Sequence, residues 1–498
     1  MAVITIDLPD ETATDRLGND LSRALIKGEV LALHGDLGAG KTSLSRAIVR
    51  CLADDADLDV PSPTFTLVQS YDTKLPVAHF DLYRVNDASE LDELGLDEAL
   101  ETGVALIEWP ERAGDALPAN TIQLAISHKG TGRHVEISGP DEALVRIQRS
   151  LDIRAFLVRS GYSEALRKPF VGDASPRVYE TFLDANGTEL ILMDQRFSPA
   201  GPPVWKGLPY RDVAHTTNPT VHPFIAIGTA LADKGFATPQ IYARDLDENI
   251  LVLEHLGKGA FLAGDGSPVK ERYELAAQLL AKIHEAGVPQ DIKAAGIDWH
   301  VPTFDRNALM IEVSLALDWY LPYRLEREPS EAERAEFTSA WHEQFATLNT
   351  ANYGLLLRDY HSPNIVWRPE YEGFDRLGVL DYQDALWGPN AYDLASLAQD
   401  ARVTIVPEME AAIIEAYTRG RSKDFDKATF TREYALMALQ RSTKILGIFI
   451  RLERRDHKPY YRQHLPRIES YVRATLKHPA LARLARFYAD MGLKPQPK

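Results

Sequence analysis

The chain has 498 residues and a formal net charge of −17 at pH 7. One hydrophobic core rarely supports such a length, so we expect roughly two to four domains. The excess of acidic over basic residues disfavours broad electrostatic binding to nucleic acid or to anionic membranes. A single cysteine, Cys51, excludes an internal disulfide. The first residues lack a signal-peptide pattern and no apolar stretch reaches about eighteen residues, so we expect a cytoplasmic protein.

Short apolar strands alternate with helices over the first part of the chain, which is typical of an α/β layer fold. The pattern restarts after Ser138, which predicts a boundary between residues 139 and 148, and we place the first domain at 1–145. The predicted strands are 4–8, 30–34, 66–70, 77–81, 104–108, 121–127 and 133–138, and the predicted helices are 13–25 and a segment that begins at Lys41.

Residues 35–42 read GDLGAGKT and fit the phosphate-binding pattern G-x-x-x-x-G-K-T. Gly35, Gly38 and Gly40 allow backbone N–H groups to face one phosphate, and the helix N-terminus adds a positive dipole. Lys41 would reach the β- and γ-phosphates, and the Thr42 hydroxyl would ligate Mg²⁺. Because the motif follows a predicted strand and opens a helix, it predicts an ATP site in an α/β P-loop NTPase domain.

Two acidic residues end neighbouring apolar strands in this domain. Asp81 lies in HFDLY and Glu108 lies in ALIEW. A carboxylate at a strand end is common and carries no function by itself. Beside a phosphate-binding loop, however, Asp81 has the place of the acid that supports the metal in P-loop enzymes.

Four segments together resemble the TsaE family, the bacterial ATPases of tRNA threonylcarbamoyladenosine (t6A) synthesis. These are GDLGAGKT, PSPTF at 61–65, HFDLYR at 79–84 and IEWPE at 107–111, and the resemblance covers about residues 1–140. It implies docking onto a TsaB–TsaD complex that is cycled by ATP hydrolysis. The residue roles it implies are phosphate and Mg²⁺ binding by Lys41 and Thr42, metal support by Asp81, a switch-like loop at Thr64, a position near the attacking water for Glu108, and a position by the nucleotide or a partner for Trp109.

A second set of motifs lies in LRDYHSPNIVW, residues 357–367. Asp359 followed five residues later by Asn364 suits a phosphotransferase loop, in which the Asp accepts the acceptor proton and the Asn binds Mg²⁺. Alone this pattern is weak. The apolar segment LGVLDYQD then delivers Asp381 as a second metal ligand, and the ordered pair of motifs strongly indicates a kinase.

The region upstream fits a kinase N-lobe in part. Paired strands are predicted at 179–183 and 189–193, and a further strand at 250–254 ends at Glu254, the natural hinge that meets adenine. An amphipathic helix at 276–284 would open the C-lobe. We interpret His284 on this helix as a packing residue rather than a catalytic one.

Two expected features of the N-lobe are missing. Residues 172–177, GDASPR, replace a G-x-G-x-x-G phosphate loop, and Asp194 ends the strand on which protein kinases carry a lysine. Arg177 is our candidate for supplying that charge near the phosphates, with a surface salt bridge as the alternative.

These departures, together with the catalytic loop and the segments at 379–397 and 438–467, resemble the AmgK family of N-acetylmuramate and N-acetylglucosamine anomeric kinases, of the aminoglycoside phosphotransferase type. The resemblance spans about residues 150–490. It implies a two-lobed α+β kinase-like domain with an N-lobe at 146–256 and a mostly helical C-lobe at 257–498. It also implies transfer of the ATP γ-phosphoryl group to the C1 hydroxyl of an N-acetylated amino sugar in peptidoglycan recycling, with Asp359 as base.

Sugar-contacting residues are harder to identify. Glu312, Trp319 and Tyr320 in IEVSLALDWY offer a carboxylate and aromatics that suit a sugar, or they are core residues. Another group on one helical face could meet a substrate carboxylate, but we favour a solvated stripe; its members are Arg441, Lys444 and Arg451.

Two other functions remain open from the sequence. The same catalytic loop serves phosphotransferases whose acceptor is an antibiotic, choline or homoserine. A different class of function would make the second part a non-catalytic regulator of the ATPase. The joint presence of Asp359, Asn364 and Asp381 argues against that regulator, since a scaffold needs none of them.

Overall fold

The computed structural model describes residues 3–85, 94–170 and 177–494. The chain divides into two compact units. One comprises Met1–Asp194 with Ala243–Leu253, and the other comprises Gln195–Tyr242 with Glu254–Lys498. Among the helices of these described ranges, none combines the length and the apolar character needed to cross a bilayer.

The first unit begins with an α/β layer, as the sequence predicts. Its described residues form a sheet with the strand order β1-β7-β6-β2-β5-β4-β3. The strands β2, β4, β5 and β6 run parallel, and the others pair antiparallel. The bounds are β1 Ile4–Leu8, α1 Glu11–Ala24, β2 Val30–His34, α2 Lys41–Ala53, β3 Val68–Tyr71, β4 Val77–Asp81, α3 Leu96–Thr102, β5 Val104–Glu108, β6 Ile122–Lys129 and β7 Gly132–Ser138.

Local sequence explains where the first helices start. The Asp10 carboxylate caps α1 by accepting a hydrogen bond from the Ala13 N–H at 2.8 Å. In α2 the residues Leu44, Ile48 and Val49 are fully buried, which confirms the predicted apolar face. The two helices pack on each other so closely that a Cβ on Gly18 would lie 2.4 Å from the Ala47 Cβ.

The chain then enters the smaller kinase lobe. Its sheet has the order β13-β14-β10-β9-β8. The hairpin predicted around residues 184–187 is present, and the strand predicted at 250–254 has those bounds. The elements are α4 Asp141–Arg159, β8 Lys168–Phe170, β9 Arg177–Leu183, β10 Glu189–Gln195, β11 Pro203–Trp205, β12 Leu208–Pro209, α5 Tyr210–Ala214, α6 His222–Ala232, β13 Ile241–Asp245 and β14 Ile250–Glu254.

Helix α4 joins two hydrophobic cores within the first unit. Its residues Leu144 and Ile147 pack in the core of the α/β layer. Phe156 and Leu157, about three turns further on, pack in the core of the small kinase lobe. The sequence-based division between residues 145 and 146 therefore falls inside a continuous helix.

A buried ionic cluster, which we call the Asp20 cluster, links the same two parts. The Asp20 carboxylate accepts hydrogen bonds from Arg154 and Arg167, each at 3.0 Å, and Arg167 also pairs with Glu180 at 3.1 Å. The Asn19 amide in addition donates to the Arg167 carbonyl oxygen and accepts from the Arg167 N–H. Breaking a buried ion pair by removing one partner costs about 3–5 kcal/mol, so this cluster holds α1 against the strands that follow α4.

The second unit is mostly helical and surrounds the long helix α13. Two short hairpins, β17 with β20 and β18 with β19, carry the loops of the kinase motifs. The bounds are α7 Lys270–Glu285, β15 Asp291–Ala294, β16 Ile297–His300, α8 Arg306–Leu315, a π-helical turn Ala316–Tyr320, α9 Leu321–Leu325, α10 Glu331–Phe345, β17 Tyr353–Leu356, β18 Ile365–Trp367, β19 Leu377–Val379, β20 Leu386–Pro389, α11 Ala391–Ala398, α12 Pro407–Arg419, α13 Lys427–Arg454, α14 Leu465–Thr475 and α15 Ala482–Asp490. The chain thus combines an α/β P-loop domain with a two-lobed kinase fold.

Candidate functional site

The GDLGAGKT loop connects the end of β2 to the start of α2. Gly35, Gly38 and Gly40 have φ angles of 143°, 77° and 108°, which disfavour residues that carry a Cβ. A Cβ on Gly35 would also lie 2.4 Å from the Ile126 carbonyl oxygen. The glycines therefore permit both the turn and its close approach to β6.

Lys41 at the start of α2 is buried beneath this loop. Its Nζ donates hydrogen bonds to the carbonyl oxygens of Gly35 at 2.6 Å and Asp36 at 3.1 Å. The same atom lies 3.6 Å from the centre of the Trp109 ring, a cation–π contact. Burial lowers the pKa of the Lys41 ammonium, opposed by the charges of Glu108 and Glu111. A cation held by neutral groups attracts the phosphates of a nucleotide.

Glu108 connects the loop to the neighbouring strands. Its Oε2 accepts a hydrogen bond from the Thr42 hydroxyl at 3.0 Å, and its Oε1 lies 2.9 Å from the Nε2 of His79. His79 and Glu108 are both almost fully buried. The structure thus brings Thr42 and Glu108 together, and it adds His79, to which the sequence analysis gave no role.

Asp81 lies opposite Glu108 in the parallel pairing of β4 and β5. Its Oδ2 accepts hydrogen bonds from Ser62 and Thr64, both at 2.7 Å, and its Oδ1 accepts from the Tyr83 N–H at 3.0 Å. The predicted switch-like loop is therefore fastened to the strand-end carboxylate through two hydroxyl groups. A change at the carboxylate would release that loop.

Arg133 was missed by the sequence analysis. Its Nε donates to the Ala39 carbonyl oxygen at 2.8 Å and its Nη2 to the Gly38 carbonyl oxygen at 3.2 Å. The phosphate loop is thereby fixed from β7. Arg133 lies 94 residues beyond Ala39 in the chain, so no local motif could have indicated this contact.

The second candidate site lies in the helical unit, where the hairpin of β18 and β19 joins the two kinase motifs. The Asn364 amide Nδ2 donates to the Asp359 carbonyl oxygen at 2.9 Å and to Asp381 Oδ2 at 3.2 Å. Asp381 has a φ of 57°, a left-handed conformation that is uncommon for residues other than glycine and recurs at active sites. The three predicted residues are therefore close together.

Buried carboxylates anchor the catalytic loop at both ends. Asp393 in α11 accepts hydrogen bonds from the N–H groups of Leu357 at 2.6 Å and Arg358 at 2.8 Å. Asp400 accepts from the N–H of Ser362 at 3.0 Å and from its hydroxyl at 2.5 Å. These backbone contacts place Asp359 between two fixed points.

Glu312 is completely buried behind the catalytic loop rather than open to a ligand. It forms salt bridges with Arg358 and, at 2.9 Å, with Lys444, and its Oε2 accepts from the Gln440 amide at 2.8 Å. In this position Glu312 holds the arginine next to Asp359. Its predicted contact with sugar stays a prediction.

The expected solvated stripe on α13 is wrong for two of its three members. Arg441 is 6% exposed and the Lys444 side chain is 12% exposed. Both are drawn inward because the helix faces the buried acids of the catalytic region. Arg451 is half-buried and lies 5.3 Å from the Tyr210 ring.

The positive charges of the buried side chains on α13 lower the pKa of the Asp359 carboxyl group. Burial would raise the pKa of its carboxyl group, but the positive charges of Lys444 and Arg358 hold that pKa below the usual value. Burial in turn lowers the pKa of His361 to about 4. Asp359 is therefore an ionised carboxylate at neutral pH, while His361 is neutral.

The remaining sugar-binding candidates lie on the π-helical turn that ends α8. The buried Tyr320 hydroxyl donates to Glu469 Oε1 at 2.7 Å, so its polar atom is already occupied. Trp319 is half-buried. His284 is fully enclosed, with its Nδ1 2.8 Å from the Tyr417 hydroxyl, which confirms a packing role.

Asp194, the acid on β10 at the place where protein kinases carry a lysine, has a cationic partner. Asp194 is buried and accepts a hydrogen bond from Arg149 of α4 at 2.7 Å. Arg177 is buried at the start of β9, and Glu254 at the end of β14 accepts from the Gln240 N–H at 3.1 Å. The other members of the GDASPR segment, residues 172–176, lie outside the described residues.

Magnesium was predicted at both sites, and its donor chemistry fits. Thr42 and Asp81 at the first site, and Asn364 and Asp381 at the second, offer hydroxyl, carboxylate and amide oxygens, the ligands that Mg²⁺ prefers. Over the ranges 3–85, 94–170 and 177–494, no group of three or more His, Cys, Asp or Glu side chains forms a complete metal cage. Such sites rely on substrate phosphates for further ligands.

Comparisons with known proteins match the two parts of the chain to two different families. A family model described as threonylcarbamoyl adenosine biosynthesis protein TsaE matches residues 8–135, and the model of the phosphotransferase enzyme family matches residues 167–429. An N-acetylmuramate/N-acetylglucosamine kinase of Caulobacter vibrioides is 33% identical over 67% of this chain and 94% of its own length.

Two further comparisons concern each part separately. A tRNA threonylcarbamoyladenosine biosynthesis protein TsaE of Haemophilus influenzae is 35% identical over 28% of this chain and 90% of its own length. Among solved structures, the GDP and kanamycin complex of APH(2")-IIia has 14% identity and a TM-score of 0.41, covering 64% of this chain and 98% of that one.

Proposed function

We propose that this chain, which belongs to the TsaE family through its first part and to the phosphotransferase enzyme family through its second, is a bifunctional enzyme. The second part phosphorylates the C1 hydroxyl of N-acetylmuramate or N-acetylglucosamine with ATP. The first part hydrolyses ATP in support of tRNA threonylcarbamoyladenosine synthesis. The sugar phosphate would enter peptidoglycan recycling.

The kinase proposal depends above all on the convergence of Asp359, Asn364 and Asp381. Asp359 is the base, because its carboxylate is ionised at neutral pH and the catalytic loop fixes it on both sides. It accepts the proton of the acceptor hydroxyl as that oxygen attacks the γ-phosphorus. Asn364 and Asp381 would hold Mg²⁺, which when bound neutralises charge on the phosphates.

Several residues position Asp359 or lower the pKa of its carboxyl group without contacting the substrate. Glu312 pairs with Arg358 and Lys444, so the two cations stay close enough to keep the Asp359 pKa low. Asp393 holds the backbone of Arg358. Arg177 and Glu254 remain our proposals for contacts with the phosphates and the adenine, and Trp319 and Tyr320 for contacts with the sugar.

The full-length protein tests the acceptor. ATP consumption is measured with N-acetylmuramate, N-acetylglucosamine and an aminoglycoside, and the product is examined by phosphorus NMR. We expect turnover with the amino sugars and a coupling between phosphorus and the anomeric proton. Phosphate on C6 would exclude the anomeric assignment, and turnover with the aminoglycoside alone would favour an antibiotic acceptor.

The ATPase proposal depends on the arrangement of Lys41, Thr42 and Glu108. Lys41 and the Thr42 hydroxyl lie where a P-loop enzyme binds phosphates and metal, and Glu108 is beside Thr42 to orient the attacking water. The connection of Thr64 to Asp81 would let the bound nucleotide control the loop at residues 61–65.

The partner is tested by co-migration. The full-length protein is mixed with a purified TsaB–TsaD complex and ATP, and gel filtration is compared with the same mixture lacking nucleotide. We expect a larger species that contains all three proteins when ATP is present. Separate elution under every nucleotide condition would count against the tRNA-modification role.

A further inference from the structure

A cavity of about 260 Å³ lies in the helical unit, away from the motifs of the kinase site. Its walls come from α7, the β17–β20 hairpin and the start of α13, and Asp359, Asn364 and Asp381 are not among its lining residues. An apolar cavity of about 150 Å³ is known to hold benzene. The volume here therefore accommodates a small organic molecule with a polar group.

Glu433 brings to this cavity a carboxylate that has no ion-pair partner among the described residues. It is 3% exposed, and its carboxylate accepts only from neutral donors, the Asn352 amide at 3.2 and 3.3 Å and the Asn349 N–H at 3.4 Å. In the described part of the chain it makes no salt bridge. Burial raises the pKa of this carboxyl group. A buried carboxylate without a cation is costly, so a positively charged partner would be strongly favoured.

An unpaired acceptor lies within the wall of the same cavity. The Oδ1 of Asn390 is buried and accepts no hydrogen bond from any described residue. Its amide rests directly on Gly354, where a Cβ would lie 2.7 Å from Oδ1. The absence of a side chain at Gly354 thus makes room for this acceptor at the cavity wall.

Other lining groups favour a cation with an apolar body. Tyr353, Trp387 and Phe430 supply aromatic surface, which suits both an apolar group and a positive charge. The cationic Arg421 at the wall is already engaged, 3.0 Å from Glu285 and 4.9 Å from the Phe425 ring. An anionic ligand would have to compete with those contacts.

We propose that this cavity is a binding site for a small primary amine in its ammonium form. The ammonium group donates to the Glu433 carboxylate, and the apolar body packs against Trp387 and Phe430. His284, whose Nε2 lies 3.5 Å from Asp393 Oδ2, forms part of the wall. The site is therefore one side chain away from the anchor of the catalytic loop.

The test compares two probes of similar shape on the full-length protein by isothermal titration calorimetry. We expect 2-phenylethylammonium to bind and 2-phenylethanol to bind at least about tenfold more weakly, because only the ammonium offers charged donors. The Glu433→Gln variant keeps the shape and should lower the affinity for the ammonium by at least about tenfold. Glu415→Gln, at an exposed position on α12, is the matched control and should bind as the unaltered protein does.

Three results would overturn the proposal. These are no heat of binding with the ammonium, equal affinities for the two probes, or an unchanged affinity in Glu433→Gln, which would place the amine elsewhere. The comparison of probes needs no substitution, so it decides the question even when Glu433→Gln does not fold.

Discussion

In the P-loop site the proposed phosphate ligands belong to one loop, residues 35–42, whereas the kinase site gathers Asp359, Asn364 and Asp381 from the two ends of the β18–β19 hairpin. The central charged residues of the two sites also have opposite signs. Lys41 is a cation held by backbone carbonyl groups, and Asp359 is an anion surrounded by cations. A site built on backbone geometry needs glycines, and a site built on side chains needs buried partners that fix the loop.

The difference also determines how each site could be inactivated. Replacing Lys41 or Thr42 would remove a contact that we propose with the nucleotide itself. Replacing a group such as Asp393 or Glu312 leaves the reacting atoms present but misplaces them or alters their charge. Three substitutions distinguish these effects.

The largest effect is expected for Lys41→Ala. Because we propose that Lys41 is the cation that contacts the phosphates, phosphate release by the first site should fall to background. Sugar phosphorylation should stay within about twofold, since the kinase motifs contain their own phosphate and metal ligands. Both activities are measured on one preparation, with and without the amino sugar. An equal loss of both in a folded protein would contradict two independent sites.

A smaller but still large effect is expected for Asp359→Asn. The amide keeps the shape and removes the base, so kcat for the sugar should fall about 10²-fold or more. The KM for ATP should change little, because the base contacts the acceptor. Phosphate release by the P-loop site serves as the internal control. A variant that retains most of its sugar kinase rate would disprove the assignment of the base.

The smallest effect is expected for Lys444→Met and concerns pH. Lys444 lowers the pKa of Asp359, so its removal should raise that pKa. Since the ionised form is the active base, activity is lost as pH falls through the pKa, and the acidic limb of kcat/KM should move to higher pH. The loss should be greater at pH 5 than at pH 8. Lys458→Met, at an exposed position beyond α13, is the control, and an identical profile for both variants would refute the role of Lys444.

Sequence patterns predicted best where function depends on consecutive residues. The loop at 35–42 and the strands at 77–81 and 104–108 were located because periodicity and motif agree there. The order of the catalytic loop, hairpin and Asp381 was also predictable, since each part has a short local pattern.

The prediction failed where distant residues set the environment. Arg441 and Lys444 read as a surface stripe, because nothing near them in the chain shows that Glu312 and Asp359 lie opposite. Arg133 lies in no motif, and His79 opens the HFDLYR segment without any local sign of its contact with Glu108, for the same reason. Tertiary contacts determine whether a charged side chain is buried, and the hydrophobic periodicity of the sequence does not reveal those contacts.

The shared helix α4 and the Asp20 cluster make the fusion hard to reverse in evolution. Splitting the gene after residue 140 would remove the acid that Arg154 and Arg167 bind. It would also expose Leu144 and Ile147, which now belong to the core of the α/β layer. A descendant that retained only the kinase would need several compensating substitutions at once. Selection for a folded kinase would therefore also preserve the residues of the first part that pack against it.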